Sequence, residues 1–222
     1  MNQKTTEQSI KRYLTLMHEV VIRIDLVAKA SKGELNLSPP YAYEYSFLQF
    51  RRICEIIALG CIQVHGDLPS SQTKTLQKEY RADKIMKALD KDYPHCFPQC
   101  ITTSKDEKGV KIIANSKPNA LTRDEFKKLY VKTGEVLHRG TIKSLELFKG
   151  YTKQDYQDVI DWQHKLVELL NQHAIGKSTG KTLYLFHLKS ENGYPKCDIL
   201  NYGEGSTVDI QIITLTDKDK HR

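Results

Sequence analysis

The sequence predicts an α+β fold that is mainly α: a five-helix bundle, an internal β-hairpin, and a three-stranded antiparallel meander at the C-terminal end. Three observations carry that prediction. Apolar residues recur at three- and four-residue steps through most of the stretch from Glu7 to Ala174, the period of a helix with one buried face. From Lys181 onward the period falls to two, which is that of a strand. Pro39-Pro40, Pro69, Pro94 and Pro98 fall between the periodic segments, where proline stops elements without breaking them.

The first helix covers Glu7 to Ser31, with Ile10, Tyr13, Leu14, Met17, Val20, Val21, Ile24 and Val27 on one stripe, and ends at Gly33. That stripe suits a seam within the molecule or one between two molecules. A second helix runs from Tyr41 to His65. Its segment Ile53–Val64 is apolar on nearly every side, so it is expected at the centre of the bundle, with Gly66-Asp67-Leu68-Pro69 as its stop. Helix three is expected over Ser71–Asp92, with Leu76, Tyr80, Ile85, Met86 and Leu89 inward. Residues Gln99 to Asn115 read as a hairpin.

Helix four has the clearest start. Thr122 stands three residues before Glu125, the spacing of a capping box, and Leu121 can staple onto Phe126. It is expected to reach Gly140. Helix five is expected from Thr152 to Ala174, with Gly176 as its C-cap. Leu183–Lys189, Lys196–Tyr202 and Thr207–Thr216 read as strands, turned by Asn192-Gly193 and Gly203-Glu204-Gly205. Residues 1–176 would form the bundle, with the hairpin inserted near 99–115. Residues 177–222 would form the meander, packed on helix five within a single domain, because three strands need a partner surface.

With 222 residues, 39% of them apolar and 27% charged, the chain can bury a core without staples. No segment approaches the roughly 20 apolar residues of a bilayer span, and no signal-type segment opens the chain, so no membrane partner is expected. Five cysteines (Cys54, Cys61, Cys96, Cys100 and Cys197) are an odd set with two in the apolar helix, which suits thiols in a reducing cytoplasm. The net charge of +7 admits a nucleic-acid partner but is dispersed along the chain, which is the pattern of a solubilising surface.

Four clusters draw attention. Gly176-Lys177-Ser178-Thr179-Gly180-Lys181-Thr182 is similar to a phosphate-binding loop, yet it is one residue short between glycines and follows a helix where a strand is needed. His95, Cys96 and Cys100 are too few for a zinc site without a fourth ligand from elsewhere, so neither a metal nor a cofactor is expected. Arg51, Arg52 and Glu55 sit at spacings of three and four in the apolar helix, and a carboxylate there needs a cationic partner. They read as a structural ion pair or a binding group. His138 and Arg139, near Glu135 at the end of helix four, complement the helix dipole; beside Gly140 they also suit a general base and an anion-binding group. Trp162, Tyr151, Tyr156 and Tyr184 read as core.

The stretches Phe47–Ala58 and Gly134–Gly140 look like those of a group of uncharacterised bacterial proteins loosely similar to HEPN helical bundles, over about residues 7–175. The resemblance implies a helical bundle, often dimeric, often tied to toxin–antitoxin or phage-defence systems. Many members resemble metal-independent ribonucleases. Their site is an arginine followed after four to six residues by a histidine, a spacing that Arg12 and His18 match. Six residues turn a helix by about 240°, which sets these two on different faces. His138-Arg139 has the right residues in reverse order.

The first functional expectation is therefore a non-catalytic interaction or scaffold module that self-associates or binds a partner protein. The second is a ribonuclease with His138 as base and Arg139, Arg51 or Arg52 on the phosphate. The third is nucleic-acid binding through the basic surface.

Overall fold

The computed structural model describes residues 3–105, 107, 111–115, 118–138, 150–203 and 208–215. Helices α1 (Gln3–Ser31) and α2 (Pro39–Val64) pack along each other. A 3-10 turn (Ser70–Gln72), a single-turn α3 (Lys74–Gln77) and α4 (Ala82–Asp92) follow. Next come strands β1 (Gln99–Lys105) and β2 (Lys111–Asn115), then α5 (Arg123–Leu137) and α6 (Lys153–Asn171). Strands β3 (Gln172–Gly176), β4 (Thr182–His187), β5 (Lys196–Tyr202) and β6 (Val208–Thr214) end the described chain. The class is α+β, as expected.

Helix α2 is the hub of the helical layer, in contact with α1, α4, α5 and α6. Its residues Ile53, Cys54, Ile56, Ile57, Ala58, Cys61 and Val64 are all buried. The α1 stripe is used inside the molecule: Ile10, Tyr13, Leu14, Met17, Val20 and Val27 belong to the same core. Capping works as the sequence predicts. The Glu125 backbone amide donates to Thr122 Oγ1 (3.3 Å) and the Thr122 amide donates to Glu125 Oε2 (2.9 Å), with Leu121 and Phe126 buried beside them. Thr152 and Asp155 form the same reciprocal box at the start of α6.

Two expectations are corrected. Helix three is not continuous. Thr73 caps the short α3, and the Glu79 carboxylate then accepts from the Tyr80 and Arg81 amides at 3.0 and 3.1 Å. Those amides are satisfied locally instead of by carbonyls a turn back, so the helix restarts at Ala82, and Tyr80 is exposed. The second correction concerns the sheet, which has six antiparallel strands in the order β2-β1-β3-β4-β5-β6 and not three. Helix five ends at Asn171, and Gln172–Gly176, expected as its last turn and cap, is the strand that joins the hairpin to the meander. The sheet thus draws strands from both sides of the 176/177 division.

One sheet face, through Ile175, Tyr184, Phe186, Cys197, Ile199 and Ile213, shares the core of the helices. The other carries a second apolar cluster of Ile101, Ala174, Leu185 and Leu200. Helices α1 and α2 approach each other closely at Gly60. A Cβ there would stand 2.8 Å from Tyr13 Cε2 and 2.9 Å from Cδ2, and the Tyr13 ring is wholly buried. Gly60→Ala is therefore expected to destabilise the fold by about 1–3 kcal/mol, the range of core overpacking. Urea denaturation of parent and variant measures it, and an unchanged midpoint would contradict this packing.

Candidate functional site

Of the sequence-predicted residues, Arg51, Arg52 and Glu55 come together, at the seam between α2 and α5. Glu55 is 8% exposed and receives both arginines of its own helix, Arg51 through Nε (3.3 Å) and Arg52 through Nη1 (3.0 Å). The i+3 and i+4 spacings make this pairing a local consequence of sequence. Arg51 also reaches across to α5. Its guanidinium lies 5.0 Å over the Tyr130 ring, its Nη2 donates to the Tyr130 hydroxyl at 3.4 Å, and its Nη1 would sit 3.8 Å from a Cβ on Gly134. Burial raises the Tyr130 hydroxyl above its ordinary range, opposed by the Arg51 charge. His138 is the C-cap one turn beyond Gly134, to whose carbonyl its backbone amide donates (3.0 Å), and its side chain is exposed. Arg139 and Gly140 lie outside the described residues. The structure thus gathers Arg51, Arg52, Glu55 and Tyr130 into one cluster and sets His138 at the open end of the same helix.

The remaining candidates scatter. Arg12 is exposed on α1 and His18 is half-buried beside Tyr194 (ring centroids 5.5 Å). The Cys96 thiol faces Asp90 Oδ1 (3.5 Å), whereas the Cys100 thiol donates to the Glu168 carbonyl (3.0 Å). Among the described residues no group of three or more His, Cys, Asp or Glu is placed to hold a metal ion. All five cysteines are unbridged, and burial pushes Cys61 and Cys96 up to about 12. The lysine- and threonine-rich string forms the β3–β4 hairpin turn. Gly180 adopts φ +70°, and its amide donates to the Lys177 carbonyl at 2.9 Å. No helix N-terminus is there to receive a phosphate. Instead Lys177 pairs with Asp67 (3.3 Å) at the wall of a polar cleft of about 310 Å³, shared with Thr182, Tyr184, Asn201, Asp209 and Gln211. These residues come from three strands and two turns, so no local pattern announces the cleft.

A second polar group that sequence reasoning missed lies where the layers meet. His173 of β3 is fully buried, with Nδ1 2.9 Å from the Leu170 carbonyl and Nε2 2.6 Å from the Tyr13 hydroxyl. A carbonyl can only accept, so Nδ1 carries the proton, and Nε2 accepts from Tyr13. Phe186 stacks on the imidazole (5.1 Å, 25°). Burial holds His173 down to about 4 and raises Tyr13 well above its usual range. His65 is likewise buried, its Nε2 3.3 Å from the Cys96 carbonyl, and burial lowers it to about 4. On the opposite sheet face, buried His187 and Asp198 stand 3.5 Å apart, with Lys196 3.6 Å from the same carboxylate. Set against known protein families, curated proteins and solved structures, the chain matches none.

Two outcomes follow from this geometry. Glu55→Ala is expected to cost about 1–3 kcal/mol, less than a fully buried pair would, because Arg52 already reaches solvent; thermal or urea unfolding reads the loss. His65 and His173 have folded values of about 4 against an ordinary 6.5, so the unfolded chain binds the extra protons. Stability is then full above pH 6.5 and falls as pH drops from 6.5 toward 4, by roughly 3 kcal/mol per histidine at most. Denaturation curves at about pH 7 and pH 4 check the sign, and a flat profile across that window would contradict it.

Proposed function

We propose that the chain is a non-catalytic interaction module, a helix-backed sheet that offers one edge strand to a protein partner. The observation that carries this reading is β6. Val208, Ile210 and Ile212 share one of its faces and are 44%, 55% and 62% exposed. Across the same ladder, Leu200, which pairs with Ile210, is only 7% exposed. The apolar face therefore continues beyond the part of the sheet where it is buried. Proteins blunt such edges with Lys, Pro or bulges, and β6 contains no lysine, arginine or proline. An apolar strand left open at a sheet edge is a surface for strand addition.

The chemistry at the α2–α5 seam supports the same reading. Arg51 and Arg52, the cations a ribonuclease would direct at a phosphate, both engage Glu55. The likeness to HEPN-type bundles, which implies self-association or partner binding, fits as well. So does a reducing compartment, since the five thiols are unbridged.

The test is purified protein incubated with single-stranded RNA beside the His138→Ala variant. The expected result is intact RNA in both. Cleavage by the parent that disappears in a folded His138→Ala protein would replace the interaction module with the ribonuclease.

A further inference from the structure

We infer that the partner taken at β6 is a second copy of this chain, joined by antiparallel pairing of the two β6 strands about a two-fold axis through Gln211. This deepens, and rests on, the reading of β6 as a docking edge. Among the described residues β6 pairs only with β5, so its outer backbone groups form one end of the sheet.

The sequence of the strand is self-complementary in this register. On the exposed face Ile210 falls opposite the partner's Ile212, and Val208 opposite the partner's Thr214. On the helix-facing side Asp209 meets the partner's Ile213, and Gln211 meets its own counterpart, whose amide can both donate and accept. Side chains alternate with period two, so only even shifts keep the apolar row on one face. The register centred on Gln211 is the one that uses all seven residues of the strand.

Charge favours the same occupant. Each copy carries +7, so two copies repel on net. The only charge on β6 is Asp209. Pairing sets it four ladder positions from its counterpart, on the order of 13 Å, beyond the distance at which salt screens exposed charges. The strand is thus a place where two cationic copies can meet without opposing like charges. The other edge differs: β2 is five residues long and opens with Lys111, opposite Lys105 of β1. Pairing β6 with the partner's β2 would also be head-to-tail, leaving an open edge on each pair, whereas β6 with β6 closes as a two-fold dimer.

Sedimentation or light scattering over a concentration series tests the pairing. The parent is expected to show twice the 25.6 kDa chain mass at high concentration, falling toward one chain on dilution. Ile210→Lys alone and Ile212→Glu alone are expected to be folded monomers over that range, since both positions are exposed. Mixed together, they should recover the two-chain mass, because this register sets the introduced lysine opposite the introduced glutamate. A parent that is monomeric at every concentration overturns self-pairing, as does a dimer indifferent to Ile210→Lys; a mixture that stays monomeric overturns the Gln211 register. None of these results touches the module reading, which fails only if the parent cuts RNA through His138.

Discussion

The structure depends on one buried contact set, the Tyr13 side chain and what surrounds it. Its ring lies against Gly60 of α2 and 4.2 Å from Phe186 of β4, and its hydroxyl donates to His173 of β3. One side chain of α1 thereby ties the helical layer to the sheet at a defined point. Apolar packing alone resists separation but permits sliding. A buried O–H to imidazole bond of 2.6 Å does not permit it, because either group left without the other would be buried and unsatisfied. The glycine opposite belongs to the same arrangement, since any larger residue would move the ring that carries the hydroxyl.

Charged groups are placed by a different rule. Arg51 bonds in two directions, to Glu55 on its own helix and to Tyr130 on α5. It sets the register of α5 on α2 in the way that Tyr13 sets the sheet. Elsewhere helix ends are tied by longer reaches: Lys165 of α6 pairs with the capping Glu125 of α5, and Arg123 of α5 with Asp90 of α4. The capping box at Thr122 therefore serves tertiary packing as well as helix initiation.

Much of this was legible in sequence where the signal is local. The period of α1 and α2, the Thr122–Glu125 box, the 99–115 hairpin and the bounds of β5 follow from spacing alone. So does the Arg51–Arg52–Glu55 group, whose partners lie within one helical turn. What escaped is non-local or two-faced. In β3, His173, Ala174 and Ile175 are buried in succession, so no alternation separates the strand from the helix it continues. The break between α3 and α4 is made by a glutamate folding back on its own amides, and an unbroken apolar pattern on either side hides it. Tyr130 as a partner of Arg51, and His173 as a partner of Tyr13, are 79 and 160 positions away, and no window of sequence contains both ends.

The β1–β2 hairpin has a consequence for the order of events in folding. Its inner neighbour is β3, so Cys100 must find His173 across the whole of α5 and α6. The hairpin can close early, since its two strands are adjacent in the chain, but it then waits with one edge unfilled until the segment around His173 arrives. Joining ends so far apart carries a loop-closure entropy that nearby contacts do not. Joining β1 to β3 therefore costs more chain entropy than closing either of the hairpins beside it.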